Sequence, residues 1–536
     1  MNILEYIIKS ALKQKNITEK KLDQIKRRAA FEYKIKIPKN INLLQAYHGL
    51  LNSHKVKKSA ILENLLKTRK IRTLSGIVSI TVITKPYPCP GKCLYCPDEI
   101  EMPKSYLANE PACMRAVLTG FDPYRQVDVR IKSLKLTGHA TDKIELIVLG
   151  GTWSAYPKNY QNWFIKRCFD ACNGIDSKSL KIAQKANESA RNRIIGLTLE
   201  TRPDFITEKE IKRMRELGCT RVELGVQTVY EDVLKKNKRG HDIKTVIRAT
   251  KLLKDTGFKV AYHMMPNLLG SNIRKDEKMF EELFSKEDFQ PDQLKIYPCS
   301  VLKSAPLYRL WKNKKYKPYT QKQLIDLLIK IKEKIPSYVR IIRIIRDIPS
   351  QSIIAGNKVS NLREVVGREM KKRDKKCKCI RCREIKSQKS KVKSQKLIRR
   401  DYNASGGKEI FLSFEDTKND KILAFLRLRI TNSWTLPVLK NCALIRELHT
   451  YGQAVPIAQK IKKAQQHKSL GKKLMMEAEK IVKTEFGFHP VKSVKDGAEQ
   501  FNRVKKIAVI SGIGVREYYR KLGYKLKDEY MIKNLA

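Results

Sequence analysis

Three cysteines in the stretch Cys89-Pro-Gly-Lys-Cys93-Leu-Tyr-Cys96 constrain this chain more than any other feature. Three residues separate the first pair and two the second. The preceding residues 77–84, Ile-Val-Ser-Ile-Thr-Val-Ile-Thr, are a β-branched run that predicts a strand, so the thiols fall on the loop that leaves it. Three thiolates on a four-iron cluster leave one iron without a protein ligand, open to a small chelating molecule. A structural zinc loop is the plainer use of neighbouring cysteines. It wants a fourth Cys or His close by, and the nearest, Cys113, lies well downstream. The spacing therefore favours the cluster.

A chain of 536 residues implies roughly three or four domains. No window offers about 20 uninterrupted apolar residues, so no membrane span is expected. The start, Met1-Asn-Ile-Leu-Glu-Tyr, lacks the basic and apolar regions of a secretory signal. Of twelve cysteines, seven sit in metal-like spacings or pair with one, which points to a reducing, cytoplasmic setting. The formal net charge of +58 predicts a polyanionic partner, because each phosphate neutralised releases counterions.

Residues 1–75 read as a basic helical module. Ile3, Ile7, Ile8 and Leu12 share one face and Leu22, Ile25 and Ala29 another, and 18 Lys and Arg stand against 5 Asp and Glu. The clusters Arg27-Arg28, Lys55-Val-Lys57-Lys58 and Lys67-Thr-Arg69-Lys70-Ile-Arg72 could grip nucleic-acid phosphates or serve as a solvated face. Residues 76–370 alternate strand and helix. Strands are predicted at 77–84, 145–150, 195–200, 221–226, 259–263, 293–297 and 339–345, with helices such as 159–172, 208–217, 243–256 and 321–334 between them. Repeated units of this kind build a parallel sheet, here a partial or full (β/α) barrel, with its active site at the C-terminal strand ends. Gly150-Gly151-Thr152, Glu200-Thr201-Arg202, Gln227, His263 and Lys295 fall there.

Residues 371–400 break the pattern: Lys and Arg fill 15 of 30 positions around Cys377-Lys-Cys379-Ile-Arg-Cys382. The following tract, 387–396, has too little apolar content to pack and reads as a linker. Residues 401–536 restart as α+β, with strands at 410–414, 423–430, 443–451 and 506–511 and helices at 470–483 and 515–522.

The triad, with aromatic Tyr95 just before its last cysteine, resembles the radical S-adenosylmethionine (SAM) superfamily. Further motifs follow in order: Asn109-Glu-Pro-Ala-Cys-Met-Arg115, Leu149-Gly-Gly-Thr-Trp153, Glu200-Thr-Arg-Pro-Asp204, Leu224-Gly-Val-Gln-Thr228, Arg239-Gly-His241, His263-Met-Met-Pro266, Arg446-Glu-Leu-His449, Ala508-Val-Ile-Ser-Gly512 and Tyr518-Tyr-Arg-Lys521. Over nearly its whole length the chain resembles the Elongator catalytic subunit family, a radical SAM domain fused to a GNAT-type acetyltransferase domain. The resemblance implies formation of 5-carboxymethyluridine at the tRNA wobble position from acetyl-CoA, with SAM as radical source. It also implies a tRNA partner engaged through its anticodon region and a reductant for the cluster; a homodimer is one arrangement left open.

The resemblance also assigns residues. Cys89, Cys93 and Cys96 would hold the [4Fe-4S] cluster. Gly150 and Gly151 would let SAM approach the backbone, and Glu200 and Arg202 would meet its charged groups or ribose hydroxyls, the alternative being a simple ion pair between the two. Glu447, Leu448, His449 and Thr450 would form the splayed strand that pairs with pantetheine, while the amides of Leu470, Gly471 and Lys472 would hold the pyrophosphate at a helix N-terminus. Tyr519 matches a CoA-contacting tyrosine, and Lys143 matches a lysine implicated in handling acetyl-CoA, here the expected catalytic residue. One departure stands out: in Gln466-His-Lys-Ser469-Leu-Gly471, Ser469 replaces the family's glycine. Cys377, Cys379 and Cys382, with Cys299 as a fourth ligand, match a zinc site of some prokaryotic members; a second cluster or free thiols are the alternatives. Two other functions compete with tRNA modification: a protein lysine acetyltransferase whose radical SAM domain is only a scaffold, and a non-catalytic RNA-binding protein.

Overall fold

The computed structural model describes residues 2–14, 16–67, 76–385, 392, 394–451, 469–487 and 504–535. The N-terminal region holds helices α1 (Ile3–Leu12), α2 (Glu19–Glu32), α3 (Asn40–Asn52) and α4 (Ala60–Leu66); three of them start where a side chain accepts from an orphan amide, Asn2 from Leu4, Thr18 from Lys21 and Ser59 from Leu62, and α3 has no side-chain cap. The apolar faces expected from the sequence meet in a core of their own, in which Ile7, Ile8, Leu22 and Ala29 join Leu43, Leu44, Tyr47 and Leu62. Of the basic cluster 67–72, only Lys67 lies within the described residues.

The central domain is a seven-stranded sheet, entirely parallel: β1 (Val78–Ile83), β2 (Lys143–Leu149), β3 (Arg193–Thr201), β4 (Arg221–Gln227), β5 (Lys259–Met264), β6 (Gln293–Ile296) and β8 (Arg340–Arg343). Each predicted strand is present, displaced by two residues or fewer at either end. Strands β1 and β8 form the two edges, so the barrel is partial. A small antiparallel pair, β7 (Val301–Leu302) and β9 (Ile353–Ala355), flanks it. Helices Lys158–Asn173, Glu208–Glu216, Ile243–Asp255, Ile273–Ser285 and Gln321–Lys334 pack on the strands through Phe164, Phe169, Met214, Leu253, Phe280 and Leu328. Strand β4 is buried along its whole length, as parallel strands covered on both faces must be.

The C-terminal domain is a mixed sheet in the order β10-β11-β12-β13-β14-β16-β15: β10 (Gln395–Ala404), β11 (Gly407–Asp416), β12 (Lys421–Ile430), β13 (Cys442–Thr450), β14 (Lys506–Val509), β15 (Lys525–Lys527) and β16 (Tyr530–Asn534). Strand β10 begins inside the expected linker, and much of the low-complexity tract (386–391 and 393) lies outside the described residues.

This second sheet docks against the N-terminal ends of the barrel strands. Gly512 abuts β3 so closely that a Cβ there would lie 2.0 Å from the Ile195 carbonyl oxygen. Around it, Arg446 pairs with Asp292 at 2.6 Å and Arg429 with Asp255 at 2.6 Å, all of them buried. Such pairs need full partnering, because an unpaired buried charge is costly.

Candidate functional site

One cavity of about 1600 Å³ runs from the cysteine triad, past the inward-facing residues of the barrel, to the second sheet. Alternation along each strand sends Glu145 and Ile147 of β2, Arg221, Glu223 and Gln227 of β4, and His263 and Lys295 of β5 and β6 toward it.

At the C-terminal strand ends, the triad loop is fixed by backbone bonds from Leu94 to Asn237 and from Leu307 to Leu94. Arg239 donates to Cys93 Sγ at 3.2 Å. The hydrogen bond from Cys96, against the cost of burial and aided by the Arg239 charge, brings the Cys93 thiol down to about 4. Gly91 lies between the thiols: a Cβ would stand 3.6 Å from both Cys89 and Cys93 sulfurs and 2.6 Å from Arg202 Nη1. Gly150, with φ +146, is required by the protein itself, since a Cβ would overlap the Thr84 hydroxyl at 1.7 Å. Of the pair, Gly151 is the one that lines the cavity.

Glu200 and Arg202 do not pair with each other. Glu200 accepts from the Tyr106 hydroxyl at 2.6 Å and stands 3.4 Å from His263 Nδ1. Arg202 grips Asp204 through Nε at 2.9 Å and leaves Nη1 buried without a hydrogen-bond partner. Gln227 Oε1 and both His241 ring nitrogens are likewise unpartnered. Burial, then the charges of Arg239 and Arg202, lower His241 to about 3, so the ring is neutral. Gln227 holds a left-handed φ of +73 where β4 loses register with β5, the kind of strain that gathers at functional sites. Unsatisfied donors and acceptors around three thiols are what a cluster and a polar molecule chelated to it would use, so the residues fit this group.

Deeper in the cavity Glu223 is fully buried. Burial raises its pKa, yet Lys295, His263 and Arg221 together hold it well below the usual carboxylate range. His263 Nε2 lies 3.0 Å from it, and Lys295 is also hydrogen-bonded to it. Neither Glu223, Tyr106 nor the role of Arg239 follows from motif reading. The available signal was a carboxylate in the middle of an otherwise apolar strand, Val222-Glu223-Leu224.

At the other end, β13 pairs with β12 as far as Thr450 but with β14 only over Cys442–Ile445. A bulge at Arg446 turns the strand, and Asp292 holds that arginine at 2.6–3.0 Å through three bonds. The backbone of Glu447, Leu448, His449 and Thr450 therefore splays away from β14 and faces the cavity. Glu447 is anchored by Arg427 at 2.9 Å. Burial lowers His449 to about 4. The helix Leu470–Glu485 starts beside this strand. Its cap, Ser469, takes a left-handed φ of +56 and makes no side-chain cap bond, which explains why glycine is the easier residue there. The first amides, Leu470, Gly471 and Lys472, thus need an outside acceptor. A Cβ on Gly471 would lie 3.1 Å from the Tyr518 hydroxyl, so Tyr518 as well as buried Tyr519 borders the helix start. Residues 466–468 of the loop lie outside the described residues. Lys143, the first residue of β2, lines this end beside Arg193 and Lys259, about 20 Å along the strand from Gly150.

Cys377, Cys379 and Cys382 gather with all sulfurs within 4.8 Å, a spacing suited to one tetrahedral ion. Lys332 donates to Cys382 at 3.6 Å. Cys299 does not join them, correcting the four-cysteine expectation. It is buried beside Tyr316 and packs with Cys93, Tyr95 and Leu268 because β6 carries it to the triad side of the barrel, whereas the linker packs on Val339 before β8.

Residues 83–283 match the radical SAM superfamily and 291–372 the radical SAM C-terminal domain. The chain is 46% identical over 549 residues to the tRNA uridine(34) acetyltransferase of Methanocaldococcus jannaschii, covering 99% of this chain and 97% of that protein. It is 40% identical over 487 residues to Elongator complex protein 3 of Homo sapiens, covering 88% and 86%. The solved structure of archaeal Methanocaldococcus infernus Elp3 with an N-terminal deletion superimposes with a TM-score of 0.75 at 46% identity, over 86% of this chain and all of that one. With the triad, the partial barrel and the splayed second sheet in one polypeptide, the chain belongs to the Elongator complex protein 3 family and carries its radical SAM domain.

Proposed function

We propose that the protein modifies the wobble uridine of tRNA, forming 5-carboxymethyluridine from acetyl-CoA with SAM as the radical source. One observation carries this reading: a single cavity joins the thiol triad to the splayed strand, so two cosubstrates bound at its ends share one reaction space. Relatives named as tRNA uridine(34) acetyltransferases support the RNA substrate.

A four-iron cluster on Cys89, Cys93 and Cys96 supplies, when bound, the electron that cleaves SAM. Arg239 favours the thiolate form of Cys93. Arg202 Nη1, Gln227 and His241 offer unused hydrogen-bonding atoms to SAM, and Gly151 leaves room for it. At the far end, the amides of Leu470, Gly471 and Lys472 receive the CoA pyrophosphate. The edge of β13 pairs with pantetheine, and Lys143 steers the thioester into the barrel. One methyl hydrogen of the acetyl group would leave on 5′-deoxyadenosine, and the methyl carbon would bond to uridine C5 as C5 gives up a proton and returns the one electron spent on SAM cleavage. Water would cleave the thioester, releasing CoA and leaving the carboxymethyl group. A lysine acetyltransferase with a passive barrel would have no use for the unpartnered polar atoms around the triad. Cys377, Cys379 and Cys382 hold zinc that ties the linker to the barrel; Cys379→Ser should release it with iron unchanged.

The test is anaerobic turnover with methyl-deuterated acetyl-CoA and tRNA. Deuterium should enter 5′-deoxyadenosine and nucleoside analysis should show carboxymethyluridine. Lys143→Ala should lower product roughly 10- to 100-fold, the worth of one charge-assisted contact, at unchanged iron content. Product formed without deuterium transfer would rule out the acetyl methyl as the radical's target.

A further inference from the structure

Beside the triad loop lies a row of four aromatic rings, exposed at its two ends. Tyr87, two residues before Cys89, stands 4.8 Å from Tyr156; Tyr156 stacks on Tyr160 at 5.2 Å, and Tyr160 meets Trp163 at 5.6 Å. The inner rings have structural duties. The Tyr156 hydroxyl bonds to the Lys85 and Gly150 carbonyls at 2.8 and 3.0 Å, and the Tyr160 hydroxyl accepts from the Lys85 amide at 3.0 Å. The outer rings do not: Tyr87 is 37% and Trp163 43% exposed, costly for rings of that size unless a partner covers them. Tyr160 packs against the core beside buried Phe164, four residues on, and leaves Trp163, three residues on, exposed at the end of the row. Lysines surround the row. Lys85 Nζ lies 5.1 Å over the Tyr160 ring, and Lys92 and Lys158 are exposed, with no ion pair for either among the described residues.

We propose that this ladder is the platform on which unpaired bases of the substrate RNA stack next to the reacting nucleotide, one on Tyr87 and one on Trp163, with Lys85, Lys92 and Lys158 neutralising the flanking phosphates. The inference deepens the proposed tRNA-modifying reading and rests on it. Aromatic faces accept any base, and lysines meet the backbone, so the platform selects single-stranded loop over duplex rather than one sequence. A base to be modified must be pulled away from its neighbours, and stacking those neighbours offsets the cost. The inner tyrosines, pinned by their hydrogen bonds, keep the outer faces oriented before RNA arrives.

The experiment measures binding of full-length protein to an anticodon stem–loop RNA carrying 2-aminopurine in its loop, and to a blunt duplex of equal length. Wild type should quench the probe. Trp163→Ala and Tyr87→Ala should each weaken stem–loop binding about tenfold, one base–aromatic stack, and relieve the quenching, while duplex binding and iron content stay unchanged. Trp163→Phe should restore most of the affinity. Lys158→Ala should instead flatten the log–log salt dependence by about 0.7. Wild-type affinity and quenching in both alanine variants of an enzyme that still modifies tRNA would overturn the ladder alone, as would equal losses on loop and duplex. A wild-type protein that binds neither RNA would overturn the ladder together with the functional reading beneath it.

Discussion

At the triad end of the cavity, Arg202 Nη1, Gln227 Oε1 and both nitrogens of His241 are buried without hydrogen-bond partners, whereas at the splayed-strand end Arg427, Arg429 and Arg446 each meet a carboxylate, at 2.9, 2.6 and 2.6 Å. The first end belongs to one domain and leaves its polar atoms open for ligands. The second is assembled across two domains, and its charges pair across the seam, although Arg427 Nη1, Arg446 Nε and His449 Nε2 also lack a hydrogen-bond partner. Open polar atoms lower stability and are tolerated where a ligand completes them. Closed ion pairs position a binding edge without touching the ligand, as Asp292 does through Arg446 at the bulge of β13.

The sharpest way to break this contrast is Cys93→Ala. It should abolish SAM cleavage and iron binding, measured as 5′-deoxyadenosine and iron content, while acetyl-CoA still binds by calorimetry. Loss of both activities together would mean that the two ends are not independent. Asp292→Asn comes next in size. It leaves Arg446 and Lys254 only Glu409, at 3.5 and 3.7 Å, as a countercharge, a loss approaching the roughly 3–5 kcal/mol that halving a buried pair costs in general. Chemical denaturation should register it, and acetyl-CoA affinity should fall more than SAM affinity; an equal fall would remove the special role of the bulge.

The smallest effect concerns His449. Its ring is neutral when folded, lowered by burial to about 4, whereas in the unfolded chain it titrates near 6.5. Between those values the unfolded chain binds the extra proton, so stability rises with pH across the window and is lost as pH falls from 6.5 toward 4. Thermal midpoints of His449→Gln should vary less steeply than wild type over that range and run parallel to it above pH 7. Parallel curves throughout would show that the ring is solvated.

The strands of the barrel were legible because a β-branched run between polar turns is a local signal, and β1 to β6 and β8 appear where the pattern put them, whereas the two-residue β7 was not read from it. Strand β10 was not. Its residues Lys396, Arg399, Arg400 and Asp401 give an edge strand little apolar alternation, and only pairing with β11 along its length makes it a strand. The cavity lining was legible where the motif residues are consecutive, as at Cys89–Cys96 and, through the resemblance, Glu447–Thr450. It was not where partners come from far along the chain: Arg239 reaches Cys93 across 146 positions, and Tyr106 reaches Glu200 across 94.

By itself, then, the sequence determined the thiol triad and the succession of parallel units, both of which depend on neighbours within a few residues. The tertiary structure alone decided that the second sheet covers the N-terminal strand ends, which brings Lys143 to the splayed-strand side, and that Cys299 packs beside Tyr316 on the triad side instead of joining Cys377, Cys379 and Cys382. A thiol's ligand set depends on where its strand ends in space, and buried charges such as Asp292 and Arg446 choose one another only when two domains close over them.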